Sequence, residues 1–511
     1  MSPALAVSLS NLATWPAHPA IYEINTWVWL GEVAQRAGAE PATFTLHDVP
    51  AAEWDAVVPD GIDAVWLMGV WERSAAGRAI AFDDEGLRES WSAALPGWTD
   101  ADVAGSPYSI RAYEVATHLG GRAGLVAARA ELAARGARLV IDFVPNHLGP
   151  DTPWLMEDPS LFVTASEDDL GGDPDSFVRL DGPSGPLVAA RGRDPYFPAW
   201  PDVIQLNPFS PHLRERVIDT LRDMASLADG VRCDMAMLFL DDIAHNTWGA
   251  RIGKPLPTPY WVQVINAVHE SHPGFRFMAE VYWDREPDLI KQGFAACYDK
   301  RLYDRLTDED AASVRAHLVA NPDWQQHTVR FLENHDEPRA AATFAPIDRE
   351  KACAVAVATL PGTALWYEGQ FEGRMVKLPV FLGRRPQEVV DTELRAWYEH
   401  LLSLSLQVRR GSWQQVEVHG WSDDTSSEHL LAWSWDDPAT EHRIVVAIND
   451  SATTAHGLVQ LPWADFDDQD WVSTDLLDGA TYGAAGADLQ ASGLYVAREA
   501  WQAHVLRLDP A

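Results

Sequence analysis

Eight short apolar runs recur along the chain before residue 370, each bounded by Gly, Pro, Asn or Asp: AIYEINTWVWL (20–30), IDAVWLMGV (62–70), RLVIDFV (138–144), GVRCDMA (230–236), FRFMAEV (275–281), AACY (295–298), TVRFLE (328–333) and TALWY (363–367). Their apolar residues run together instead of alternating with polar ones, which is the pattern of strands buried on both faces. Helical spacing fills the gaps. Residues 124–135 carry Ala and Leu on one face and stop at Gly136, and Leu213, Val217, Leu221, Met224 and Ala228 fall at steps of three and four. Strand and helix alternating eight times predict an α/β chain, a (β/α)₈ TIM barrel of parallel strands, with a doubly wound open sheet as the alternative.

Two stretches break this rhythm. Between the third and fourth runs lies a long polar segment that ends in YFPAW (196–200), which predicts a folded excursion rather than a loose loop. Beyond a last helix at 398–408, short apolar runs at 429–435, 443–448, 457–461 and 501–508 predict a C-terminal antiparallel β-sandwich. The expected organisation is a catalytic barrel over 1–147 and 207–405, an inserted segment over 148–206 and the sandwich over 406–511.

Composition narrows the classes of function. Of 511 residues, 39 are Lys or Arg and 75 are Asp or Glu, giving a net charge of −36. Such a field repels nucleic acid, suits neutral or cationic ligands, and equally describes a plain solvated acidic surface. No apolar run is long enough to span a bilayer, so no membrane partner is expected. The three cysteines, Cys233, Cys297 and Cys353, form no disulfide framework, and the N-terminus has neither a basic start nor a sustained apolar stretch, so a cytoplasmic location is expected. The 23 tryptophans fit a protein that stacks indoles on sugar rings, although many must serve the core.

A parallel barrel carries its chemistry at the C-terminal ends of its strands. Those ends hold Asp142, Asn146 and His147 after the third run, Arg232 and Asp234 at the fourth, Glu280 at the fifth, and His335 and Asp336 after the seventh. Burying a converging set of charges costs too much to be incidental.

The segments VIDFVPNH (140–147), GVRCDMAM (230–237), MAEVYW (278–283) and FLENHDEPR (331–339) resemble, in order, the four sequence regions of the α-amylase family of retaining glycoside hydrolases. Flanking pieces agree: YEINTWVWL, IDAVWLMGV and LPGTALWYEGQ (360–370) resemble the family's first, second and eighth strands, and SPYSIRAYEV (106–115) its tyrosine loop. The resemblance implies Asp234 as nucleophile, Glu280 as acid/base and Asp336 as the third essential carboxylate. It implies Tyr108, His147, Arg232 and His335 as substrate-binding residues, with Asp142 bracing Arg232 and Asn146 in support. A cation beside Asp234 is expected to keep it ionised, while like charge and burial raise Glu280. No cofactor is implied. Asn146 often joins acids of the inserted domain around calcium in the family, but no clear motif is present here, and Asp168, Asp169 and Asp173 read as calcium ligands or as a solvated charge run. Whether a metal binds is left open.

The chain also departs from the pattern. Ser109 and Ala112 stand where the family commonly has Asp, and Met237 and Leu238 stand where many α-amylases hold a leaving-group sugar with Lys-His. Trp71, Trp200 and Trp283 are candidate sugar platforms. The expected function is hydrolysis of α-glucosidic bonds, α-1,4 foremost, in gluco-oligosaccharides through a covalent glycosyl-enzyme intermediate. The alternatives are a transglycosylase with the same intermediate, a phosphorylase using Arg339 or Arg374, and a non-catalytic carbohydrate-binding relative. The partner is an α-glucan or α-glucoside, and the oligomeric state is left open.

Overall fold

The computed structural model describes residues 14–320, 322–440, 442–466 and 469–511. Eight parallel strands close a barrel: β1 (Ala20–Asn25), β2 (Ala64–Met68), β3 (Arg138–Phe143), β4 (Gly230–Cys233), β5 (Arg276–Ala279), β6 (Ala296–Tyr298), β7 (Thr328–Arg330) and β8 (Thr363–Tyr367). Each pairs with its neighbour in sequence, and β8 returns to β1 with Ala364 opposite Ala20. This closure excludes the open sheet.

Six of the eight strands stop short of the C-terminal ends of their apolar runs, while β6 and β8 reach theirs. The first run changes state at Asn25, whose side chain accepts from Val28 N at 3.5 Å while its own N–H donates to Glu368 Oε1 at 2.9 Å. That capping turns residues 26 onward into the helix Thr26–Arg36. The fourth run stops at Cys233 because Met235 takes φ 42°, and the chain after Glu280 bends through left-handed Trp283 and Asp284. The reactive residues therefore sit just past the ladder.

The helix Pro211–Leu227 buries Leu213, Val217, Leu221 and Met224, starts on Ser210 capping Leu213 N, and places Pro at its first turn. The insertion folds as an antiparallel sheet in the order His147–Leu148, Trp200–Gln205, Gly185–Gly192 and Thr164–Ala165, with Phe177–Gly182 pairing Gly185–Gly192 as a hairpin. Gln205 pairs with His147, so the far end of the insertion is stitched to the exit of β3.

After the helix Thr392–Val408 come an antiparallel six-stranded sheet and a three-stranded sheet. The six-stranded sheet is buried on both faces. Trp433, Trp435, Ile444, Val446 and Ile448 join the barrel core, while Ala432, Val445, Ala447, Leu506 and Leu508 pack with Val459, Leu494 and Val496 of the smaller sheet. Two-sided burial explains why LLAWSW and RIVVAI lack a clean alternation. The strands Asp470–Asp475, Thr481–Ala485 and Leu494–Arg498 lie outside the expected set: the first and last alternate buried with exposed positions and so write no continuous apolar run, and Thr481–Ala485 is an exposed edge. Among the described residues no helix is long and apolar enough to cross a membrane.

Candidate active site

The β4 ladder sets Arg232 opposite Asp142 of β3 and Met278 of β5, and the pairing continues past the strand ends through Asp234 N to Phe143 O at 2.9 Å and Glu280 N to Cys233 O at 3.0 Å. Asp234 and Glu280 are thus each the first residue beyond adjacent strands. The guanidinium of Arg232, wholly buried, gathers the acids: Nη1 lies 2.8 Å from Asp234 Oδ1, and Nη2 lies 2.9 Å from Glu280 Oε2 and 3.8 Å from Asp336 Oδ2. The rings of Trp66, Tyr108 and Tyr298 surround it at 5.2–5.6 Å, and Nε donates to Tyr298 OH at 3.3 Å. A buried cation facing three carboxylates and three ring faces has its desolvation offset from several sides.

The expected brace from Asp142 to Arg232 is not a direct contact. Asp142 Oδ2 accepts from Gly69 N at 2.8 Å, Oδ1 from Tyr108 OH at 3.5 Å, and its carbonyl from Trp71 Nε1 at 2.7 Å. It braces the exit of β2 and Tyr108, and reaches Arg232 only through its field.

The expected charge state of Asp234 changes. Burial and the negative charge of Glu280 push the Asp234 carboxyl up to about 7, outweighing the opposing pull of Arg232. Glu280 meanwhile accepts from Met235 N at 2.7 Å and from Tyr282 OH at 2.8 Å, besides facing Arg232. Two hydrogen-bond donors and the Arg232 cation thus converge on Glu280.

Asp336 lies six residues past β7. Burial opposes its ionisation, but His335, Arg232 and Lys377 together hold it well below the usual carboxylate range. His335 Nε2 is 2.9 Å from Asp336 Oδ2 and 2.7 Å from Tyr108 OH, and its Nδ1 meets Glu23 Oε1. The Tyr108 ring stacks on His335 at 5.3 Å. His147 is buried and pushed down to about 3 by burial, so it is a neutral ring facing the cavity beside Trp200. Asn146 Oδ1 accepts from Gln205 Nε2 at 2.8 Å, and its amide nitrogen lies 3.2 Å from His147 Nδ1.

These groups line a cavity of about 330 Å³ whose floor is Asp234, Glu280 and Asp336 and whose walls include Tyr108, His147 and Trp200. A pocket of about 460 Å³ adjoins it past Met235 and Tyr282, with Phe197 and Trp283 on its walls. Another of about 580 Å³ shares Asp336 and carries Lys377 and Phe381. Met237 and Leu238 are buried in the turn Ala236–Phe239, so the residue of that segment facing the cavity is Met235. Ser109 Oγ donates to Asp202 O at 2.7 Å, and Ala112 is buried in the strand Ile110–Val115.

Trp71 is a core residue, not a platform. Arg339 pairs with Glu333 and Glu368 O, and Arg374 faces Glu32 and Glu388, so neither offers an unengaged cation for phosphate. Asp169 completes a capping box with Ser166 and pairs with Arg251, and Asp173 caps Ser176. Cys233 is buried, and burial pushes its thiol well up, so it packs.

Sequence reasoning missed Glu23, Trp66, Tyr298, Lys377 and Phe381 as members of this site. Glu23 left one signal, an acid inside an apolar strand run. Lys377 and Phe381 left none, because they lie in an irregular loop.

No family model matches the chain. It is 23% identical to the α-amylase MalA of Haloarcula japonica over 368 residues, which is 70% of this chain and 45% of that protein. It is 24% identical to an α-glucosidase of Culex pipiens over 292 residues, 47% of this chain and 48% of that protein. The chain thus spans less than half the length of these curated relatives. The solved structure of a noncanonic maltogenic α-amylase, AmyB, from Thermotoga neapolitana superposes with a TM-score of 0.67 at 16% identity, covering 96% of this chain and 98% of that one, a likeness of fold. Motifs, relatives and fold agree, and the resemblance of this chain to the α-amylase family holds.

Proposed function

We propose that this protein is a glycoside hydrolase that cleaves α-glucosidic bonds, α-1,4 foremost, in gluco-oligosaccharides with retention of configuration. The observation that carries the reading is the convergence of Asp234, Glu280 and Asp336 on one buried guanidinium at the floor of a sugar-sized cavity. In the reacting form Asp234 is ionised and Glu280 holds the proton. Asp234 attacks the anomeric carbon, the glycosidic C–O bond breaks, and the Glu280 proton passes to the leaving oxygen. Water then gives its proton to Glu280 and its oxygen to the anomeric carbon, releasing Asp234. Asp336, held ionised, accepts from sugar hydroxyls, and neutral His147 with Trp200 forms the opposite wall.

Transfer to a sugar instead of water is the second reading. It is favoured by the adjoining pocket, whose Phe197 and Trp283 offer ring faces to an incoming acceptor. The test is incubation with maltose, longer maltodextrins, isomaltose, trehalose and sucrose, with the first product followed by proton NMR. The expected result is an α-anomer released first. Longer oligosaccharides appearing early favour transfer, and a β-anomer first, or no α-glucoside processed, overturns the reading.

A further inference from the structure

We propose that Glu23, which lies out of reach of any substrate, is a positioning residue that holds His335 as an imidazolium and through it fixes Asp336 and Tyr108. This deepens the function proposed above and rests on it for its catalytic consequence, though not for the charge state itself.

His335 has an acidic side chain on each ring nitrogen: Glu23 Oε1 on Nδ1, and Asp336 Oδ2 at 2.9 Å from Nε2. A neutral imidazole carries one N–H, so one of its lone pairs would face a carboxylate oxygen. With both acids ionised, only the doubly protonated ring donates to both; burial raises the Glu23 carboxyl, and the charges of His335 and Arg232 oppose that rise. On the Nε2 side the donor is shared, because Tyr108 OH lies 2.7 Å away, and the Tyr108 ring stacks on the imidazole.

Glu23 itself is an expensive residue to keep. It sits in the middle of β1 with no exposed surface, between Tyr22 and Ile24. Its Oε2 is buried with no hydrogen-bond partner among the described residues, and its Oε1 meets only His335. A carboxylate with half of its accepting capacity unused is not there to satisfy backbone groups. Its one evident task is to face that ring.

The edge of Trp66 comes from β2 at 5.5 Å. Asp142 at β3, Arg232 on β4, Tyr298 on β6 and Glu333 after β7 act on this group through their charges or dipoles. Burial opposes a charged His335, yet Asp336 and Glu23 together hold it well above the ordinary histidine range. The consequence is a carboxylate at Asp336 that is ionised, oriented by a charge-assisted bond, and ready to accept from sugar hydroxyls.

The test uses the full chain and Glu23→Gln, which keeps the shape and keeps an amide oxygen to accept from Nδ1–H, but removes the charge. The ring nitrogens of His335 are followed by ¹⁵N NMR between pH 6 and 9. The expected result is a doubly protonated ring throughout in the unaltered protein, and a ring titrating near the ordinary value of about 6.5 in Glu23→Gln. On an aryl α-glucoside, kcat of the variant should fall about tenfold more at pH 8 than at pH 6, with KM changing little. A purely structural role would depress both pH values alike.

A neutral ring near pH 7 in the unaltered protein, or an unchanged titration in Glu23→Gln, overturns the inference. If Glu23→Gln does not fold, Asp336→Asn decides: the ring must stay charged at pH 7, and a neutral ring overturns Glu23 as its holder. Absence of any glycosidase activity with the NMR result intact would sink the proposed reaction and leave the charge-holding role standing.

Discussion

At Asp234 the demands of stability and chemistry oppose each other. An acid raised to about 7 in the folded state, against about 4 unfolded, binds its proton more tightly when folded. Its contribution to stability is therefore present at low pH and is lost as pH rises from about 4 through about 7. Asp234→Asn mimics the protonated acid at every pH and leaves Arg232 facing Glu280 and Asp336. The variant should lose essentially all glycosidase activity and gain about 1–3 °C in melting temperature at pH 8, with no gain at pH 5. Equal shifts at both pH values would contradict the raised acid. In the unaltered protein the reacting form needs one proton on the Asp234–Glu280 pair, so kcat/KM should fall as pH rises through about 7, where the pair loses that proton.

The loop after β8, residues 369–391, builds one wall of the site without any regular structure. Leu382 is fully buried in a cluster with Ala81, Trp91, Leu95 and Val103, from the helices Ala75–Asp83 and Glu85–Ala94 and the segment after them. Phe381 O accepts from Ala104 N at 2.7 Å, and Arg385 clamps Glu32 and Glu368 at 2.7 and 2.8 Å. Lys377 Nζ reaches the Asp336 carbonyl. Leu382→Ala should cost about 2–5 kcal/mol, spent locally because the barrel ladder does not depend on it. The expected result is faster hydrogen exchange over 376–385 and a several-fold higher KM, with kcat nearly kept. Exchange that rises evenly over the whole chain would show that the loop is not a separate unit. This wall was illegible beforehand, since a loop held by one leucine and a few ion pairs has no period to read. The strands were legible because two-sided burial writes continuous apolar runs, and their lengths were not, because the overshoot depends on turns at Asn25, Met235 and Trp283.

Barrel and six-stranded sheet share one continuous core, and the other face of that sheet carries the three-stranded one, so the molecule should unfold as a unit. Trp435 is the hinge pin of that union. It is wholly buried, packs into the barrel cluster and donates from Nε1 to Thr359 O at 2.7 Å. Trp435→Ala should cost about 3–5 kcal/mol and lower the melting temperature in a single transition, while leaving KM of the surviving fold unchanged. Two separated transitions would mean that the sheets and the barrel stand independently.

The order of elements, the barrel, the sheets beyond it and a set of polar strand ends followed from the sequence, because apolar period and strand-end polarity are local properties of a chain, and the resemblance to the α-amylase family singled out three acids among them. Their convergence on Arg232 needed the closed barrel, which brings residues a hundred positions apart to one guanidinium. The same closure decided what no local pattern carries: that Asp142 braces Tyr108 and not Arg232, that Asp234 is the raised acid, and that Glu23, buried in the first strand, faces a histidine 312 residues away. Protonation and bracing are set by which groups share a buried volume, and only the tertiary structure assigns that.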